Sequence, residues 1–152
     1  MADAAVVPGM LGIHHVALAV ADLDAALVHW TQTMGAQLEL RATVVDQGVD
    51  AASLLWPAAG HGSTALELVA PLSDDSGVAR FLERRGAGLH HVAWSVVNVQ
   101  DALDALARAG ARLIDATPRI GLHGTPVAFV HPASMGGALV ELVEGSADAH
   151  AG

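Results

Sequence analysis

The sequence predicts an α+β fold made of two copies of one strand–helix–three-strand unit. Three observations predict it. Residues 13–20 (IHHVALAV) recur as 89–96 (LHHVAWSV). Each copy is followed by an amphipathic helical stretch. A closing segment, ALELV at 65–69, recurs as LVELV at 139–143. The offsets agree, with 76 residues from His15 to His91 and 74 from Glu67 to Glu141. A period kept over that distance marks one supersecondary unit used twice.

The elements follow in order. In the first strand Ile13, His15, Ala17 and Ala19 share one face, and His14, Val16, Leu18 and Val20 the other, because strand side chains alternate. A helix over Asp22–Met34 carries Leu23, Ala26, Leu27, Trp30 and Met34 on one stripe. Asp22 suits its N-cap and Gly35 its stop. Three strands are expected near 37–45, 48–56 and 63–69. Val78, Phe81 and Leu82 predict a short amphipathic helix within the connection 74–87. The second copy repeats the scheme. His91, Ala93 and Ser95 face one way, and His90, Val92, Trp94 and Val96 the other. A helix from Val99 to about Ala109 has Val99, Ala102, Leu103 and Leu106 on its stripe, Asn98 as cap and Gly110 behind it. Strands are expected near 112–116, 125–131 and 138–144. The organisation is thus a tail (1–11), a first module (12–72), a connection (73–88), a second module (89–144) and a second tail (145–152).

Composition narrows the function. Hydrophobic residues make up 53% of the 152, enough for a packed core and too many for a disordered chain. Sixteen acids against seven bases give a net charge of −9, which repels phosphate backbones and argues against nucleic acid as a partner. There is no Lys and no Cys. Schiff-base chemistry, disulfides and thiolate sites are therefore excluded. Every apolar run is broken by polar residues, so no membrane span is expected. The start lacks a secretory pattern, and a cytoplasmic protein is the default expectation.

What remains for chemistry is nine His and sixteen carboxylates. His15 and His91 sit beside small residues that leave room for a guest. Glu67 and Glu141 lie in apolar strands, where a carboxylate needs a partner. A divalent ion such as Co, Ni, Mn, Fe or Zn satisfies two imidazoles and two carboxylates together. On an octahedral ion it leaves two positions for a chelating substrate. His14 and His90 read as packing or ligand-supporting residues. His29, His61 and His150 read as surface, and His123 and His131 as loop residues near the cavity.

At these residues the sequence resembles the vicinal oxygen chelate superfamily, and within it the methylmalonyl-CoA epimerases. The matching stretches are IHHVALAVADLDAAL, DQGVDAASL, LELVAPLSDDSGVARFL, GAGLHHVAWSV and PRIGLHGTPVAFVHPASMGGALVELVE, within residues 12–144. The resemblance implies paired βαβββ modules, an eight-stranded half-open barrel around one metal, and a homodimer. It implies His15, Glu67, His91 and Glu141 as metal ligands. It also implies epimerisation of methylmalonyl-CoA, or a related 2-substituted malonyl-CoA, by 1,1-proton transfer through a metal-chelated enolate. Two carboxylates serve as acid and base in that scheme. One matches Glu141, and the other falls on Asp46, in an Asp46-Gln47-Gly48-Val49 motif where the family has Glu first. Asp46 also suits the cap of a turn. The family usually has Gln at 67 and often Asp at 14. The segment Pro118–Gly124 either faces substrate or is a turn, and Arg119, Arg84 or Arg85 are candidates for the anionic CoA moiety. Alternatives are a glyoxalase I-like isomerase, which Glu67 favours, an enzyme that reuses the enolate site for cyclisation or decarboxylation, and a non-catalytic small-molecule binder.

Overall fold

A computed structural model describes residues 6–59 and 64–145. The expectations for the ends of both tails, His61 and His150 lie outside the described residues. The chain runs β1 (Met10–Ala19), α1 (Leu23–Met34), β2 (Gln37–Val44), β3 (Val49–Leu55), β4 (Ala65–Pro71), α2 (Gly77–Arg85), β5 (Gly88–Val96), α3 (Val99–Arg108), β6 (Arg119–Ile120), β7 (Pro126–Val130) and β8 (Val140–Glu144). The eight strands form one curled, half-open sheet in the order β2-β3-β4-β1-β5-β8-β7-β6. β1 and β5 meet antiparallel at its centre, and each pairs on its other side with a parallel strand, β4 or β8. The two repeated segments are therefore neighbours at the axis, and the two closing segments flank them.

The helices begin and end where the side chains permit. Asp22 accepts from the Ala25 N–H at 3.1 Å, and Gly35 ends α1 in the left-handed region at φ 70°. Ser76 and Asn98 cap α2 and α3 in the same way. α3 buries Val99, Ala102, Leu103 and Leu106 against Ala128, Val130, Val140 and Leu142. α1 covers Leu54 and Leu68 with Leu23, Leu27 and Trp30. Each buried Leu of this kind contributes about 1.5–3 kcal/mol. Met34, the last residue of the expected stripe and of α1, is half exposed.

The expected strand at 112–116 does not form. Leu113 makes only an isolated bridge to Val130. The Asp115 carboxylate and the amides of Ile114 and Asp115 all converge on the Phe129 backbone, which bends the chain out of register. The eighth strand is instead β6, inside the segment read as a loop or turn. Among the described residues no helix is long and apolar enough to cross a membrane.

Candidate active site

β1, β5, β4 and β8 each deliver one polar side chain to the concave centre of the sheet. His15, Glu67, His91 and Glu141 are all buried, between 3% and 7% exposed. His91 Nε2 lies 2.7 Å from Glu141 Oε2. His15 Nε2 lies 3.3 Å from His91 Nε2, 3.3 Å from Glu67 Oε2 and 3.6 Å from Glu141 Oε2. The ligand atoms of His15, His91 and Glu141 fall within 4.8 Å of one another. Glu67 joins this group through its contact with His15. No local sequence motif brings these residues together; the parallel pairing of each repeat's first and last strands does so within each half, and the antiparallel pairing of β1 with β5 joins the halves.

Strict alternation puts His14 and His90 on the opposite face, and the structure differs. β1 carries one extra residue between Ile13 and His15, and β5 carries one between Leu89 and His91. Such bulges re-aim a side chain. His14 Nδ1 consequently lies 2.8 Å from His15 Nδ1, and His90 Nδ1 lies 2.8 Å from His91 Nδ1. When His15 and His91 present an Nε2 lone pair, each Nδ1–H donates to its neighbour, which fixes tautomer and ring orientation. Burial, then the neighbouring His91, pushes His90 down to about 4, so it stays neutral and able to accept.

The electrostatics are those of a site built for positive charge. Burial acts to lower His15, but Glu67 and Glu141 outweigh it and hold the imidazole up at about 9. Burial raises the Glu67 carboxyl above its usual range despite His15. Glu141 is held below that range, because hydrogen bonds from His15 and His91 overcome its burial. A small space of about 10 Å³ sits against His15, Glu67 and Glu141, the room of one water or small ion. Two imidazole nitrogens and two carboxylates gathered this closely suit a divalent cation.

Gln47 lines both this space and a groove of about 980 Å³. Asp46 is exposed in the three-residue turn Val45–Gln47 and lines that groove with His91 and Phe129. Arg80, Arg84, Arg85 and Arg119 line it too, four of the seven arginines of an acidic chain. His131 caps the turn Pro132–Ser134 at the groove edge, and His29 is on the surface against Trp30. His123 is more than a loop residue. Its Nε2 lies 3.3 Å from Glu39 Oε2, and its ring stands 5.7 Å from that of His14 at the mouth of the small space. Glu39 also accepts from Ser53 Oγ at 2.7 Å. In the sequence Glu39, a carboxylate between Leu38 and Leu40, carries the same signal as Glu67.

Residues 14–129 match the model of the glyoxalase/bleomycin resistance protein/dioxygenase superfamily. This chain belongs to that superfamily. Among its superfamily relatives, the ethylmalonyl-CoA/methylmalonyl-CoA epimerase of Cereibacter sphaeroides is 40% identical over 136 residues, covering 88% of this chain and 98% of that protein. The crystal structure of methylmalonyl-CoA epimerase from Mycobacterium tuberculosis superposes with a TM-score of 0.83 at 35% identity, over 100% of this chain and 97% of that one. A variant of the Streptomyces coelicolor methylmalonyl-CoA epimerase in complex with 2-nitronate-propionyl-CoA superposes with a TM-score of 0.84 at 31% identity, over 91% and 97%. The fold expected from the sequence, two βαβββ units in one half-open barrel, is the superfamily's.

Proposed function

We propose that this protein is an epimerase of methylmalonyl-CoA or a related 2-substituted malonyl-CoA, acting by 1,1-proton transfer at the α carbon. The observation that carries the reading is the convergence of two imidazoles and two carboxylates, one of the imidazoles, His91, lining a groove that a further carboxylate, Asp46, also lines. The relatives named as epimerases support it across nearly the whole chain.

In this reading His15, Glu67, His91 and Glu141 hold a divalent ion, one of Co, Ni, Mn, Fe or Zn. When bound, the ion supplies positive charge to the oxygen that becomes negative as the α proton leaves. Glu141 takes or returns the proton on one face of the planar carbon, and Asp46 does so on the other. Each such group contributes typically about 10²–10⁴-fold. Arg84 and Arg85, in the last turn of α2, meet the anionic CoA moiety at the groove. A homodimer in the cytoplasm goes with this reading, and the exposed apolar side chains of Met10, Leu11 and Ile13 support a partner face. The test follows solvent deuterium into the α position of methylmalonyl-CoA with metal-loaded protein. No incorporation rejects the function. Intact epimerisation in Asp46→Asn rejects the second base.

A further inference from the structure

Arg119 opens β6 and reaches from the second half of the chain to the first. Its Nη1 donates to the Asp46 carbonyl oxygen at 2.9 Å, a contact between residues 73 apart in sequence. Behind it stands Asp115, with side chain only 13% exposed. Arg119 Nε lies 3.2 Å from Asp115 Oδ1, and Nη2 donates to Oδ2 at 3.4 Å. Asp115 Oδ2 also accepts from the Phe129 N–H at 2.8 Å. The Phe129 ring in turn stands edge-on to His91, with centroids 5.2 Å apart. One bracket thus runs from the His91 ring, through Phe129, Asp115 and Arg119, to the backbone of Asp46.

We infer that Arg119 is a positioning residue for Asp46, with Asp115 as its anchor. This inference rests on the reading of Asp46 as a base. The physical need is clear from the turn itself. Asp46 sits in a three-residue turn, exposed, ending at Gly48 with φ 67°. The other bonds of this turn, Gly48 N–H to Val45 O and Leu72 N–H to Gly48 O, tie its ends and not Asp46. A shorter carboxylate has less reach to make up for a displaced backbone, and a shift of about 1 Å costs on the order of a hundredfold in rate. A charge-assisted hydrogen bond from a guanidinium held by a mostly buried carboxylate supplies the missing constraint. The fork of Arg119 is engaged by a backbone carbonyl and a carboxylate of the protein.

The experiment makes Arg119→Gln and Arg119→Lys in the full metal-loaded chain, alone and combined with Asp46→Asn. It measures epimerisation and, for each substrate epimer separately, α-proton exchange with D2O. Arg119→Gln should lower kcat for epimerisation roughly ten- to a hundredfold with KM within about twofold, and Arg119→Lys should recover part of it. Exchange should slow for the epimer whose proton faces Asp46 and hold for the other. In the Asp46→Asn background Arg119→Gln should cost nothing further, since it acts through the missing carboxylate. Backbone amide exchange at 45–48 should quicken in Arg119→Gln while the melting temperature stays near that of the parent. Equal loss for both epimers, or the same loss in both backgrounds, overturns the positioning role. If Asp46→Asn is slow but Arg119→Gln is not, the bracket alone falls. If Asp46→Asn keeps full epimerisation, the base assignment fails and takes the positioning role with it.

Discussion

Replacing Glu67 by Gln removes one charge from the site and keeps a ligand oxygen. Glu67 Oε2 stands 3.3 Å from His15 Nε2. At that distance and an effective dielectric constant of about 20, two unit charges attract by about 5 kcal/mol gross. Burying the carboxylate costs several kcal/mol, and that cost leaves with the charge. Burial is the leading influence on Glu67 itself, ahead of His15. The opposing effects therefore nearly cancel in the metal-free protein, and its stability at neutral pH should change by about 1 kcal/mol or less. A bound divalent ion has no such compensation. Its affinity should fall by roughly ten- to a hundredfold, at least what a change in ligand-supporting groups costs. Calorimetric titration of the metal-stripped protein with Co²⁺ reads the affinity, and urea unfolding reads the stability. α-Proton exchange should persist at saturating metal, because the amide oxygen still reaches the ion. Unchanged affinity in a folded variant would refute Glu67 as a ligand, and a stability loss of several kcal/mol would refute the cancellation.

Three further predictions follow from the same geometry. As pH rises from about 6.5 through about 9 the metal-free protein should lose on the order of 3 kcal/mol, because His15 binds its proton more tightly folded than unfolded, whereas below about pH 6.5 the buried, neutral His90 favours unfolding as pH falls; a flat urea midpoint between about pH 6.5 and 9 would contradict the His15 environment. Leu103→Ala, at a fully buried position on the sheet-facing side of α3, should cost about 2–5 kcal/mol in urea unfolding, and a loss below about 1 kcal/mol would mean the α3 core is looser than described. Gly48→Ala puts a Cβ in a left-handed backbone and 3.2 Å from the Ser76 Cβ. It should cost about 1–2 kcal/mol in melting and slow epimerisation by shifting the Asp46 turn, so a variant with unaltered rate and stability would show that the turn tolerates another conformation.

Much of the architecture was legible because periodic patterns report local geometry. The α1 and α3 stripes, the capping Asp22 and Asn98, and the β1, β5, β4 and β8 segments all stand within a few residues of expectation. The segment 112–116 misled because Asp115 bonds the Phe129 amide instead of continuing a ladder, and a side chain's preference for a backbone group 14 residues away has no local signature. The roles of His14 and His90 required the bulges, since one extra residue in a strand leaves the hydrophobic pattern almost unchanged and still turns a ring around. The pairing of Glu39 with His123 was hidden for a related reason. They are 84 residues apart and meet only because the two halves curl toward one another.

The sequence by itself determined which chemistry was open to this chain and how many times the unit was used. Its repeat, its lack of Lys and Cys, and its two buried-strand Glu and two paired-strand His follow from covalent order alone. Tertiary structure decided the distances. β1 and β5 pair antiparallel at the axis, and only that contact brings imidazoles 76 residues apart to 3.3 Å. It likewise decided that Arg119 grips the Asp46 turn, since a hydrogen bond across 73 residues depends on how two half-sheets close, which no local preference encodes.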